Sequence, residues 1–159
     1  MWSSRQSYRS RIVLYAILPV KINIVVINRS SMTISIQASV GEVVDKVSIL
    51  NIKVEKLTNP DALENVSVEL GSLKRALKDS GMEEALSHSL FQQLAEVNLQ
   101  LWQVEDELRE FESKRMFDAE FIELARSVYK LNDRRAAIKR EVNLAFGSRL
   151  MEEKSYKEY

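Results

Sequence analysis

Residues 90–111 read LFQQLAEVNLQLWQVEDELREF, and residues 121–142 read FIELARSVYKLNDRRAAIKREV. In the first stretch Leu90, Leu94, Val97, Leu101, Val104, Leu108 and Phe111 recur at spacings of four and three, the period of a helical seam. In the second the seam is Phe121, Leu124, Val128, Leu131, Arg135, Ile138 and Val142. If the chain folds antiparallel about Arg115–Phe117, Phe111 meets Phe121 and every later layer follows: Leu108 with Leu124, Val104 with Val128, Leu101 with Leu131, Val97 with Arg135, Leu94 with Ile138 and Leu90 with Val142. Each layer sets an a position against a d position, as antiparallel packing requires. This agreement predicts a long helical hairpin over 82–114 and 119–146. Asp118 is its second N-cap, Phe117 and Ile122 are placed for a hydrophobic staple, and Gly147 is the closing glycine.

Upstream the same pattern recurs on a shorter scale. Val40, Val43, Val47, Leu50, Val54 and Leu57 form one seam, and Leu63, Val66, Leu70, Leu73 and Leu77 form another. Ser39 and Glu42 make an S-x-x-E capping box at the first helix. Asn59-Pro60 separates the two helices, with Asn as cap and Pro at the first helical position. Asp79-Ser80-Gly81 ends the pair. The expected fold is all-α: a short hairpin (40–57/61–78) and a long one (82–114/119–146), packed as a partial four-helix bundle with coiled-coil-like seams. The long helices outreach the short ones, so part of the long hairpin is expected to stand as a two-helix arm, to pair with a second copy or to be covered by the N- or C-terminal segment, and a homodimer is the expected assembly.

Composition narrows the chemistry. The 159 residues include no cysteine and one histidine, His88, which removes thiolate sites and most imidazole metal sites. There is no Gly-rich phosphate loop, no G-x-S-x-G elbow and no Glu-x-x-His pair, so neither a cofactor nor a metal is expected. His88 reads as an ordinary polar helix residue.

The net charge of zero is a sum of two unlike pieces. Residues 1–31 carry Arg5, Arg9, Arg11, Lys21 and Arg29 and no acid, while 32–159 carry the remaining 18 basic residues (23 − 5) against all 23 acidic ones, a net of −5. The apolar run Ile12–Ile27 is broken by Lys21 and Asn23, and its clean portion is too short to cross a bilayer, which takes roughly 20 residues. The favoured reading of 1–31 is a basic extension outside the fold. A targeting or membrane-surface role and a strand-forming arm are the alternatives. The helical domain is then 32–147, followed by a polar tail, 148–159.

Arg135 is the one charged residue on a seam. Asn98, Trp102, Glu105 and Arg109 form a stripe one position off the third-helix seam, and Tyr129 and Asn132 lie beside Arg135. Asn98, Trp102, Glu105, Tyr129, Asn132 and Arg135 are therefore the candidate ligand-binding residues, with Arg135 placed for an anion and Trp102 for stacking on a sugar-like ring. The competing reading is a buried polar layer that fixes register, in which case Arg135→Leu is expected to keep or raise stability. Glu42 and Lys46 are spaced for an i,i+4 ion pair. The acidic run Glu105-Asp106-Glu107 is expected to pair with Arg126 across the hairpin. Arg126, Lys130 and Arg134 form a basic stripe, but there is no helix-turn-helix or RNP signature and the body is acidic, so nucleic acid is not the expected partner.

The stretches SVGEVVDKVSIL (39–50), NLQLWQVEDELR (98–109), LARSVYKLNDRRAAIKR (124–140) and EEKSY (152–156) resemble a bacterial domain-of-unknown-function family of small helical proteins. The resemblance runs from Met32 to Tyr159. It implies a start near Met32 and a bacterial cytoplasmic setting, and it attaches no activity to any residue. Two functions are expected from these readings. The first is a non-enzymatic interaction or assembly module that self-associates or engages a protein partner, with the tail docked on the bundle or on that partner. The second is a small enzyme or an anionic- or sugar-ligand-binding protein.

Overall fold

The computed structural model describes residues 34–155. The expectations for residues 1–31 lie outside the described residues, and the compact unit treated below begins at Ile36. It holds four α-helices: α1 Val40–Lys56, α2 Pro60–Asp79, α3 Ser89–Lys114 and α4 Ala119–Ala145. A single 3₁₀ turn, Glu83–Leu86, joins α2 to α3. No strand occurs among the described residues, and the all-α fold of two hairpins stands.

The helix boundaries follow local chemistry. Ser39 Oγ accepts from Glu42 N at 3.2 Å and starts α1. The capping box is only half made, because the Glu42 carboxylate turns away to Lys139 on α4. Asn59 caps α2 through Ala62 N, and Asp118 caps α4 through Glu120 N and Phe121 N. Gly147 closes α4 at φ 61°, a left-handed conformation open to a residue without Cβ.

The long hairpin keeps the register set by its seams. The Phe111 and Phe121 rings lie 6.4 Å apart, and Leu94, Val97, Ile138 and Val142 are all buried in one core. Phe117 meets Phe121 edge-on at 5.2 Å, whereas Ile122, expected to form the staple, is 53% exposed. The ring-on-ring contact offers Phe117 more apolar surface than Ile122 does at the turn.

One boundary differs from the seam reading. The third helix does not begin at Met82: it begins at Ser89, and His88 is its N-cap, with Nδ1 accepting from Leu90 N at 3.2 Å. Ala85 is buried, and Met82 and Leu86 pack on the same core, so the 3₁₀ turn plugs the end of the bundle. Burial of these three side chains overrides the helical period that runs through them.

The helices are not arranged symmetrically. α1 is central and packs on α2, α3 and α4, while α2 packs mainly on α1 and the 3₁₀ turn. Only Leu77 of α2 is buried. α1 therefore has two inward stripes. Val47 and Leu50 of the apolar seam are buried with Val43 partly so, and a second stripe of Gly41, Val44, Asp45, Ser48 and Ile52 is also buried. Gly41 permits the close approach to α4: a Cβ there would sit 2.5 Å from the Lys139 carbonyl oxygen and 2.9 Å from Asn143 Oδ1.

Candidate functional site

Asp45 lies on the second stripe of α1 and is 3% exposed. Arg135 Nε donates to its Oδ1 at 2.9 Å and Nη2 to its Oδ2 at 2.5 Å, a side-on bidentate pair between α1 and α4. Asn98 of α3 donates from Nδ2 to Asp45 Oδ1 at 2.8 Å and to Ser48 Oγ at 2.7 Å. The Ser48 hydroxyl donates to the Asp45 carbonyl at 2.7 Å. Three helices thus meet at one carboxylate, and no buried side-chain N or O lacks a partner among the described residues. The hydrogen bond to Asp45 outweighs the cost of burial and raises the Arg135 pKa above its already high ordinary value, so the guanidinium stays charged.

Beside this network a groove of about 530 Å³ opens between α1, α3 and α4. Of the six candidate residues, Asn98, Trp102, Glu105, Asn132 and Arg135 line it, together with Ile49, Ile52, Leu101, Asp106 and Arg109. Tyr129 is not in that lining. The polar lining has atoms left over after its internal bonds. Asn98 and Asn132 use their amide nitrogens on Asp45, Ser48 and the Val128 carbonyl, which leaves their oxygens for the groove. Arg135 uses Nε and Nη2 on Asp45, which leaves Nη1.

A second polar cluster ties down the start of α1. Asn143 Oδ1 accepts from Gly41 N at 2.7 Å and Ser148 Oγ from Val40 N at 3.3 Å, so the first helical amides are satisfied from α4 and the segment after it. Lys139 is 7% exposed and donates to both Glu42 and Glu152, the latter at 2.5 Å. Burial opposes its charge, but the bonds to Glu152 and Glu42 outweigh this and hold the ammonium above its ordinary range. The same bond draws Glu152 below the usual carboxylate range.

The described part of the tail, 148–155, folds back along α4. Glu153 meets Arg140 at 3.0 Å, and Lys154 Nζ reaches the Asn132 carbonyl at 3.3 Å, next to the groove.

Several expected pairings are replaced. Lys46 pairs with Glu69 on α2 instead of Glu42. Arg126 pairs with Glu123 on its own helix rather than with Asp106 or Glu107, and Arg109 reaches back to Glu105 and Asp106. For Arg126 and Arg109, neighbours one helical turn away need less side-chain ordering than partners across the hairpin, whereas Lys46 crosses to α2 because Glu42 is engaged by Lys139.

Asp45 is absent from the six candidates, although it anchors the site. Its signal in the sequence is weak but present: Gly41, Asp45, Ser48 and Ile52 fall at spacings of 4-3-4, a helical stripe of small and polar residues beside the apolar seam. An acid on such a stripe and a lone arginine on a distant seam are complementary demands for burial.

The family model "Family of unknown function (DUF6165)" matches residues 32–159, and the chain belongs to that family. No curated protein and no solved structure matches the chain.

Proposed function

We propose that the body of this chain is a non-enzymatic interaction module, and that the groove beside Trp102 is the face with which it takes its ligand or partner. The observation that carries this reading is the division of labour around Asp45. The carboxylate fixes α1 against both long helices, and the residual hydrogen-bonding atoms of Asn98, Asn132 and Arg135 are then left to one open cleft. A rigid floor with a few uncommitted polar groups and an aromatic wall suits recognition. The resemblance of residues 98–109 and 124–140 supports a bacterial cytoplasmic setting as part of the same reading.

The test is side-chain NMR of the full chain exposed to the small-molecule fraction of a bacterial extract. The expected result is shifts confined to the Trp102 indole and the Asn98 and Asn132 amides, with no metabolite consumed. Shifts mapping elsewhere would overturn the groove assignment, and consumption of a metabolite would favour the enzymatic alternative.

A second reading, self-association into a homodimer, rests on the arm of the long hairpin. Met116, Phe117 and Ile122 are exposed together at its tip, beside the Phe111–Phe121 pair. Light scattering decides this: a concentration-independent monomer rules it out, and a dimer lost in Phe117→Glu supports it.

A further inference from the structure

Resting on the groove reading above, we infer that the groove takes a neutral, hydroxyl-rich ligand, a saccharide, rather than an anion. Charge comes first. Two acids, Glu105 and Asp106, and two arginines, Arg109 and Arg135, line the cleft, and Asp45 lies directly against Arg135. The cation best placed for a phosphate or carboxylate has its bidentate edge filled by a buried carboxylate. An anion taking that edge would have to displace Asp45 and leave it buried without its partner, and one meeting only Nη1 would face a guanidinium whose charge Asp45 already neutralises. Arg109 is in turn held by Glu105 at 3.4 Å and by Asp106 at 4.0 Å. Both cations of the lining are therefore already matched by carboxylates.

The geometry of the leftover groups comes second. Asn98 and Asn132 offer amide oxygens, Arg135 offers Nη1–H, and Glu105 and Asp106 offer carboxylate oxygens. Donors and acceptors are mixed on planar side chains. A hydroxyl is donor and acceptor at once, so adjacent hydroxyls can bridge such groups, whereas an ionised carboxylate has acceptors only and an ammonium donors only. Trp102 lines the cleft, where an indole suits stacking on the C–H side of a sugar ring, and Ile49, Ile52 and Leu101 add apolar lining. The volume of about 530 Å³ falls within the roughly 300–1,000 Å³ common for small-ligand clefts.

The experiment uses the full chain carrying Trp2→Phe, so that Trp102 is the sole indole. Maltose, cellobiose, N,N′-diacetylchitobiose and L-rhamnose are titrated separately, with inorganic phosphate and agmatine as the anionic and cationic arms, and Trp102 fluorescence and side-chain amide shifts are followed. At least one sugar should saturate the signal. Its affinity should fall tenfold or more in Glu105→Ala and in a Trp102→Ala protein followed by NMR, with the thermal midpoint of each variant unchanged. Glycan-bearing peptides of the responding sugar distinguish a free saccharide from a conjugated one. If phosphate or agmatine saturates the groove and no sugar does, the saccharide class is wrong while the groove reading stands. If neither these probes nor the extract shifts any groove resonance, both fall.

Discussion

Arg135 Nε and Nη2 clasp both oxygens of Asp45 across 90 residues of chain, at 2.9 and 2.5 Å, and the carboxylate is almost fully withdrawn from water. The seam alone sets Arg135 opposite Val97, where it needs either an external anion or a role in register. The anion is internal. It belongs to the helix that the long hairpin must hold.

The pair makes a definite stability prediction. Arg135→Leu alone strands a buried carboxylate and should destabilise the fold by roughly 3 kcal/mol, the cost of breaking a buried pair from one side. This reverses the expectation drawn from the seam alone. Asp45→Leu combined with Arg135→Leu should recover most of that loss, because no charge is then buried. A urea-unfolding double-mutant cycle checks both; independent, additive effects would show that the two residues do not act as a pair.

Two glycines should respond to the same substitution with opposite signs. Gly71 lies in α2, and a Cβ at that position would have nothing within 4 Å, so Gly71→Ala should gain up to about 1 kcal/mol from helix propensity. Gly41→Ala drives a methyl to 2.5 Å from the Lys139 carbonyl oxygen and should cost about 1–3 kcal/mol through overpacking of α1 on α4. Thermal midpoints of the two variants, compared side by side, decide it.

Arg115 caps α3 at φ 53° with a side chain where a glycine would be unstrained. Left-handed backbone costs an ordinary residue about 1–2 kcal/mol, partly offset by the extra chain entropy of glycine. Arg115→Gly should therefore be neutral to about 1 kcal/mol stabilising, whereas Arg115→Val should destabilise, as chemical denaturation would report.

The tail should come free at both ends of the pH scale. Glu152 is depressed by Lys139, so its contribution is present above the ordinary carboxylate value, about 4.3, and is lost as the pH falls through its lowered pKa. Lys139 is raised, so its contribution is complete below about 10.4 and is lost as the pH rises through its higher value. Amide shifts of residues 150–155 in the full chain should be flat between these limits and move outside them. Glu152→Gln should loosen the tail already at neutral pH; a tail that stays docked in that variant would show that Glu153 and Lys154 suffice to hold it.

Particular residues show how far the sequence can be read. Phe111 and Phe121 can be paired from their spacing because an antiparallel hairpin has one free parameter, the position of its turn, and the Arg115–Phe117 break supplies it. Asn98, Trp102, Glu105, Asn132 and Arg135 can be gathered because they flank seams already in register. Tyr129 shares their neighbourhood in sequence, yet it lies outside the groove lining. His88 shows the other limit. Nothing in its local pattern separates a helical residue from an N-cap, and the buried Ala85 upstream decides the matter.

Local patterning is enough for the succession of four helices, the start of α3 apart, and for the register of the long hairpin, since three- and four-residue spacing, caps and turns act between neighbours along one chain or across one tight turn. It does not say that α1 is the central helix, that Gly41 sits against α4, or that Asp45 is the partner of Arg135. Those contacts join helices from different hairpins, where any of several faces could have met. Packing in three dimensions selects the one arrangement in which a buried carboxylate, a buried lysine and the first amides of α1 all find partners at once.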